Sequence, residues 1–208
     1  NDFKNVKVKL REIPKVGIVG EILIKYHYFG NDYLVDKLEK EGAEVCVPEL
    51  MGFVKYCAYN GMVKEKILKE GKKAAFLNHQ ALNIIDMFEK VVKKELKDTR
   101  YRQVTNIYEL AHNVEGILST GNQTGEGWFL TAEMVELMKD GITNIVCVQP
   151  FACLPNHIVG KSVIKRIKHL YPEANIVAID YDPGASHTNQ ANRIKLMLTV
   201  AKEKIENL

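Results

Sequence analysis

An open, four-stranded parallel α/β sheet is the fold class that this sequence predicts, and three observations predict it. Short apolar runs rich in β-branched residues begin at Lys15, Glu44, Asn144 and Asn175, and stretches with helical spacing separate them. The first two runs and the helix between them occupy about 35 residues, the span of a βαβ unit, whose crossover is right-handed. A chain of 208 residues with globular composition is also long enough to bury a core without disulfide or metal staples. Together these predict a flavodoxin-like or Rossmann-like sheet in the order 2-1-3-4, with a helical insertion between strands 2 and 3 at about residues 52–118.

Each element has its own signal. KVGIVGEILI, residues 15–24, reads as a buried strand running into a turn near Gly20 and Glu21. Asn31 or Asp32 then caps a helix with Leu34, Val35 and Leu38 on one face, and Gly42 ends it. EVCVP at 44–48 is the second strand. In the long middle, Leu82, Ile85, Phe88, Val92 and Leu96 form one helical stripe, and Ile107, Leu110, Ala111, Val114 and Leu118 form another. The insertion is expected to fold over the carboxyl edge of the sheet.

STGNQTGEG at 119–127 is a glycine-rich loop, followed by a helix over about 128–138 that stops at Gly141. The third strand, 144–148, leads through Gln149, Pro150, Phe151, Ala152, Cys153, Leu154, Pro155 and Asn156 into a helix carrying Ile158, Val159, Val163, Ile164, Ile167 and Leu170. The fourth strand, NIVAID at 175–180, ends in the loop YDPGAS, and a last helix runs over about 188–205.

Composition narrows the function. The net charge of +3 is mild and its basic residues are interspersed with acids, so neither nucleic acid nor an anionic membrane is implied as a partner. No apolar run approaches the roughly 18 residues of a membrane span and no signal segment is seen, which predicts a cytoplasmic protein. Four cysteines without a C-x-x-C pair do not make a secreted disulfide framework. The first residue is Asn1 where a native start gives Met, so a single α/β domain, 1–208, is expected that is an excised fragment of a larger protein or lacks its start for another reason.

The strand-to-helix loop around Cys153 is the leading candidate site. Loops at the carboxyl ends of parallel strands are where ligands and catalytic groups collect. A thiol just before a helix start is also exposed to unpaired N–H groups that favour thiolate. The alternative is a half-buried cysteine packed under a loop.

Other motifs are weaker. Gly160-Lys161-Ser162 resembles the end of a phosphate loop but has Pro155 where that motif needs glycine. Gly17 and Gly20 read as a structural turn, and loop 119–127 as a plain connection before an anion site. Cys153 and His157 share one helical face at a zinc-compatible spacing, with only His79, His112 or His187 loosely available to complete a site. Cys46 and Cys147 read as core residues within strands, and Cys57 is ambiguous. A Ser186, His187 and Asp182 grouping lacks a nucleophile elbow, so the catalytic residues are unknown.

GEGWFLTAEM at 125–134, IVCVQPFACLPNHIVGK at 145–161 and ANIVAIDYDPGASHTNQANRIKLML at 174–198 resemble the C-terminal part of acyl-CoA dehydratase activase-related proteins, which are similar to 2-hydroxyacyl-CoA (2-hydroxyglutaryl-CoA) dehydratase subunits. GIVGEILIKY at 17–26 fits the same region. In those subunits, thiolates from two α/β halves hold an iron–sulfur cluster, and the resemblance implies Cys153 as the metal ligand of this half. An extra Ala152 separates Phe151 from Cys153, and no acid follows the cysteine. Gln190 and Arg193 match a stretch of the final helix in which Asn192 replaces a threonine.

What the resemblance implies is an iron–sulfur redox module in ATP-driven, low-potential electron transfer to an acyl-CoA, in an anaerobic setting. Its 4Fe-4S cluster would belong to the full-length protein and be absent from this chain alone, which would be inactive. The expected cofactor-binding residues are Gln149, Pro150, Phe151, Asp182, Gly184, Gln190 and Arg193. The expected partners are a second α/β half, an activator ATPase domain and an acyl-CoA. A non-catalytic module that binds CoA or the activator without a cluster is the alternative.

Overall fold

The architecture follows from a computed structural model that describes residues 2, 5–9 and 11–206. Four strands, β1 (Lys15–Gly20), β2 (Glu44–Cys46), β3 (Asn144–Pro150) and β4 (Asn175–Tyr181), form one sheet in the order β2-β1-β3-β4. Every pairing is parallel, with Gly17 beside Cys46 and Ile145, and Cys147 beside Ala178. The carboxyl ends of all four strands therefore share one edge.

The strands are apolar on both sides, as a sheet covered on both faces requires. Ile145, Cys147, Ile176 and Ala178 face one helical layer, made by α6 (Gly127–Lys139), the π-helical turn His157–Lys161 and α8 (Ile164–Leu170). Val146, Val148 and Ile179 face the other, made by α1 (Ile22–Tyr26), α2 (Leu34–Lys40) and α9 (His187–Glu206). Residues one apart on a strand point to opposite sides, so the alternation itself divides the core in two.

The first strand ends at its expected turn, and a short helix that the sequence did not signal follows it. Residues 22–24 begin α1, because Gly20 turns the chain at φ 138° and the Glu21 carboxylate accepts the Ile24 N–H, an N-cap that starts a helix in an apolar run. The N-cap of α2 is Tyr33, at φ 56° and without a side-chain cap, not Asn31 or Asp32 as expected; Asn31 stands two residues earlier, and its Oδ1 accepts the Leu34 N–H at 3.2 Å. Gly42, at φ 89°, ends that helix.

Between β2 and β3 lie α3 (Leu50–Leu68), α4 (Lys72–Leu96), α5 (Ile107–Asn113) and α6. Tyr56, Leu82, Ile107, Leu110, Ala111, Val114, Trp128, Phe129 and Ala132 form a core between α6 and the preceding helices. The α5 stripe lies inside as expected. The α4 stripe does not: Leu82 is buried, but Phe88 and Val92 are exposed. The helix is apolar on two sides, and packing around Leu82 and Glu89 selects the other one.

Buried charge joins the layers. Lys25 of α1 donates to both carboxylate oxygens of Glu133 in α6, at 2.7 and 3.0 Å, with both side chains buried. Lys55 of α3 reaches Glu89 at 2.5 Å and the Thr105 carbonyl at 3.2 Å. Among the described residues, no helix is long and apolar enough to cross a membrane.

Candidate functional site at the carboxyl edge

The strand order reverses direction at β1 and β3, which places the crevice favoured for ligands at their carboxyl ends. β3 runs two residues past its expected end, since Gln149 and Pro150 still pair with Asp180 and Tyr181. The chain then turns through exposed Phe151 and through Ala152, which takes a left-handed φ of 58°. Cys153 follows at the start of a single turn, α7 (Leu154–Asn156), which passes directly into the π-helical turn. Ala152 is thus the residue that re-aims the backbone before the thiol.

A polar network ties this loop to β4. The Lys161 ammonium bridges both Asp180 oxygens, at 2.9 and 2.7 Å, and lies 3.1 Å from His157 Nε2. His157 Nδ1 lies 2.8 Å from the Cys153 carbonyl oxygen. A tautomer in which Nδ1–H donates to the Cys153 carbonyl and Nε2 accepts from Lys161 satisfies both contacts, and Gln149 Nε2 also lies 3.2 Å from Nδ1. Gln149 Nε2 donates to Asp180 at 2.6 Å, while the buried Gln149 Oε1 has no hydrogen-bond partner among the described residues. That oxygen is an open acceptor at the strand end.

Burial alone would raise the Asp180 carboxyl, but hydrogen bonds from Lys161 and Gln149 and the lysine's charge hold it below its ordinary value. His157 and Lys161, four apart on the π-helical turn, both reach the same strand end, and such turns recur at functional sites.

On the other side of Cys153, at the β1 and β3 ends, Glu126 Oε1 accepts the Ile22 N–H at 3.0 Å. With the Asn156 amide turned so that each end meets a complementary partner, its nitrogen lies 2.8 Å from Glu126 Oε2 and its oxygen 2.9 Å from the Glu21 nitrogen. Burial raises the Glu126 carboxyl, and Glu21 adds to the rise.

The thiolate expected at Cys153 is not favoured. Burial raises its pKa, the hydrogen bond with Asn156 opposes the rise, and Glu126 and Glu21 reinforce it. The physical reason is local: α7 has one turn and little dipole, and two carboxyl groups face the thiol. Nor do Cys153 and His157 form a zinc pair or a nucleophile–base pair, because the imidazole nitrogens face the Cys153 carbonyl and Lys161. Among the described residues, no three His, Cys, Asp or Glu side chains converge as metal ligands.

The remaining expected residues divide. Gln149 is buried in the network, and Gln190 donates to the Asp180 carbonyl at 2.7 Å. Asp182 and Gly184 close their own turn, with the Gly184 N–H donating to Asp182 Oδ1 at 2.5 Å. Arg193 is exposed one helical turn beyond Gln190. His79, His112 and His187 instead meet Tyr108, Glu115 and Asp32, respectively.

Cys147 lies in the core, where burial pushes its thiol up to about 12, and Cys46 is half-buried at the end of β2. Cys57 is exposed on α3. Loop 119–127 is a connection: its own carbonyls take the first N–H groups of α6, and the Tyr56 hydroxyl donates to Gln123 and Gly125. Those amides are therefore not open to an anion.

Gly17 and Gly20 serve packing and the turn. A Cβ at Gly17 would meet Leu137 of α6 at 2.5 Å, and one at Gly20 would meet the Val148 carbonyl at 1.9 Å. Lys161, Asp180, Glu126 and Asn156 carry no sequence signal as a group, because only the register of β1, β3 and β4 assembles them. No family model, no curated protein and no solved structure matches this chain.

Proposed function

We propose that the chain is one α/β half of an iron–sulfur redox module resembling 2-hydroxyacyl-CoA dehydratase subunits and their activase-related relatives, with Cys153 as the one thiolate that this half contributes. The observation that carries the reading is the presentation of Cys153. It stands at the carboxyl edge on a loop pinned by His157, between Phe151 and Leu154, two apolar side chains that are both 68% exposed. Apolar flanks around a half-buried thiol suit a surface that a second half covers.

One thiolate fills one corner of a cluster, and the described residues do not supply the rest of a ligand set. The other ligands belong, in this reading, to the second half of the cytoplasmic parent protein. When bound, the cluster would supply low-potential electron transfer to an acyl-CoA. The chain's own residues do simpler work: His157, Lys161 and Asp180 fix the backbone that carries Cys153, and Phe151 and Leu154 limit water around it.

A module that binds CoA or an activator ATPase without a cluster is the second reading. The raised Cys153 thiol, facing Glu126 and Glu21, favours it. Iron analysis of the anaerobically purified full-length protein separates the two. The first reading expects bound iron that Cys153→Ser removes. Iron retained by the variant at the wild-type level, or none in the wild type, overturns it.

A further inference from the structure

The outward side of α4 is a long apolar seam. Phe76, Leu77, Ile84, Met87, Phe88 and Val91 are 56% to 66% exposed, on the side opposite buried Leu82 and Glu89. Leu77, Ile84 and Val91 recur every seven residues, with Met87 and Phe88 three and four after Ile84. This spacing keeps one side of a helix facing a partner helix along its length. From Lys73 to Glu95 the seam is about 33 Å long at 1.5 Å per residue.

We infer that this seam pairs with α4 of a second copy of the chain, antiparallel and about a two-fold axis at Ile84. The sequence is self-complementary about that point. Ile84 meets its own copy at the axis, and away from it Leu77 meets Val91, Phe76 meets Val92, Met87 meets Ala81 and Phe88 meets Gln80, so each large side chain there faces a smaller one. At both ends Lys73 meets Glu95, and both residues are exposed. A parallel pair would instead set Lys73 against Lys73, Glu95 against Glu95 and each phenylalanine against its own copy. Charge and size therefore select the antiparallel second copy. The surface lies on the helical hairpin of α3 and α4 and is independent of Cys153 and the carboxyl edge.

Sedimentation velocity on the full chain tests this. The wild type is expected to dimerise in a concentration-dependent way. Ile84→Glu sets two carboxylates against each other at the axis and should weaken the dimer at least about a hundredfold, with circular dichroism unchanged and the melting midpoint unchanged at concentrations where both proteins are monomeric. Lys73→Glu should weaken it about tenfold, and adding Glu95→Lys should restore it to within about threefold of the wild type.

A dimer that survives Ile84→Glu, or a double variant that stays weak, overturns the pairing. So does a monomer that co-sediments with anionic phospholipid vesicles, which would assign the seam to a membrane surface. A monomer whose Ile84→Cys variant is shielded from alkylation would assign the cover to another segment of the same protein and would also overturn it.

Discussion

The imidazole of His157 holds the carbonyl oxygen of Cys153, with Nδ1 to oxygen at 2.8 Å, and so fixes the loop backbone while leaving the thiol itself untouched. Lys161 and Asp180 stand behind that contact, which makes them positioning residues for Cys153. Their effect on the thiol passes through the loop.

Removing the lysine should therefore loosen the loop more than it destabilises the fold. The Lys161–Asp180 pair is nearly a third exposed, so Lys161→Met is expected to cost about 1 kcal/mol in urea denaturation. The same variant should speed alkylation of Cys153. The pH dependence has a definite sign. A carboxyl depressed below its ordinary 3.8 contributes stability that is present above that value and lost as pH falls through the lower, folded value. Asp180→Asn should remove that acid-side loss, and a variant with the wild-type acid profile would show that the pair is not formed.

Thiol reactivity should rank by exposure and burial. Alkylation followed by mass spectrometry is expected to find Cys57 first, Cys46 and Cys153 more slowly, and Cys147 protected until unfolding. Because the Cys153 thiol is raised above its ordinary 9.0, its rate should still be climbing at that pH. A rate that levels off near neutrality would mean that the thiolate is favoured after all.

The strands were legible because their signal is local: β-branched runs bounded by glycine, proline or polar turns. The short helix after the first strand was not, because EILI reads equally as strand or helix until the Glu21 cap is known. The α4 face was misread for a related reason. Leu82 with Ile85 and Ile84 with Phe88 offer two apolar sides, and only packing decides between them. The place of Cys153 at the carboxyl edge was legible because a proline-flanked loop between strand and helix marks that edge. Its supporting network could not, since Gln149 and Asp180 meet only through the β3–β4 register.

The Lys25–Glu133 pair should behave as a buried charge pair. Lys25→Met leaves a carboxylate with no cation in a site that already raises its pKa, and is expected to cost about 3–5 kcal/mol at neutral pH. The penalty should shrink as pH falls toward the ordinary 4.5 and the lone carboxyl takes a proton. Pairing Lys25→Met with Glu133→Leu should recover most of the loss. Equal costs for the single and double variants would mean that packing, and not charge, was lost.

Two glycines of β1 should differ in what they tolerate. At Gly17 the obstacle to a methyl group is the tip of Leu137 at 2.5 Å, a side chain that can change rotamer, so Gly17→Ala should cost about 1–2 kcal/mol. At Gly20 the obstacle is the Val148 carbonyl oxygen at 1.9 Å, and the backbone stands at φ 138°. Val148 cannot retreat, because its carbonyl accepts the Glu21 N–H at 2.9 Å and its strand lies between β1 and β4. Gly20→Ala should therefore cost roughly 3 kcal/mol or more, through combined strain and overpacking. It should also disturb Glu21 and Ile22, and through them the Glu126 side of the Cys153 crevice. Denaturation midpoints of the two variants decide the matter, and the reverse order would make the packing of α6 on β1, and not the turn at its end, the tighter constraint.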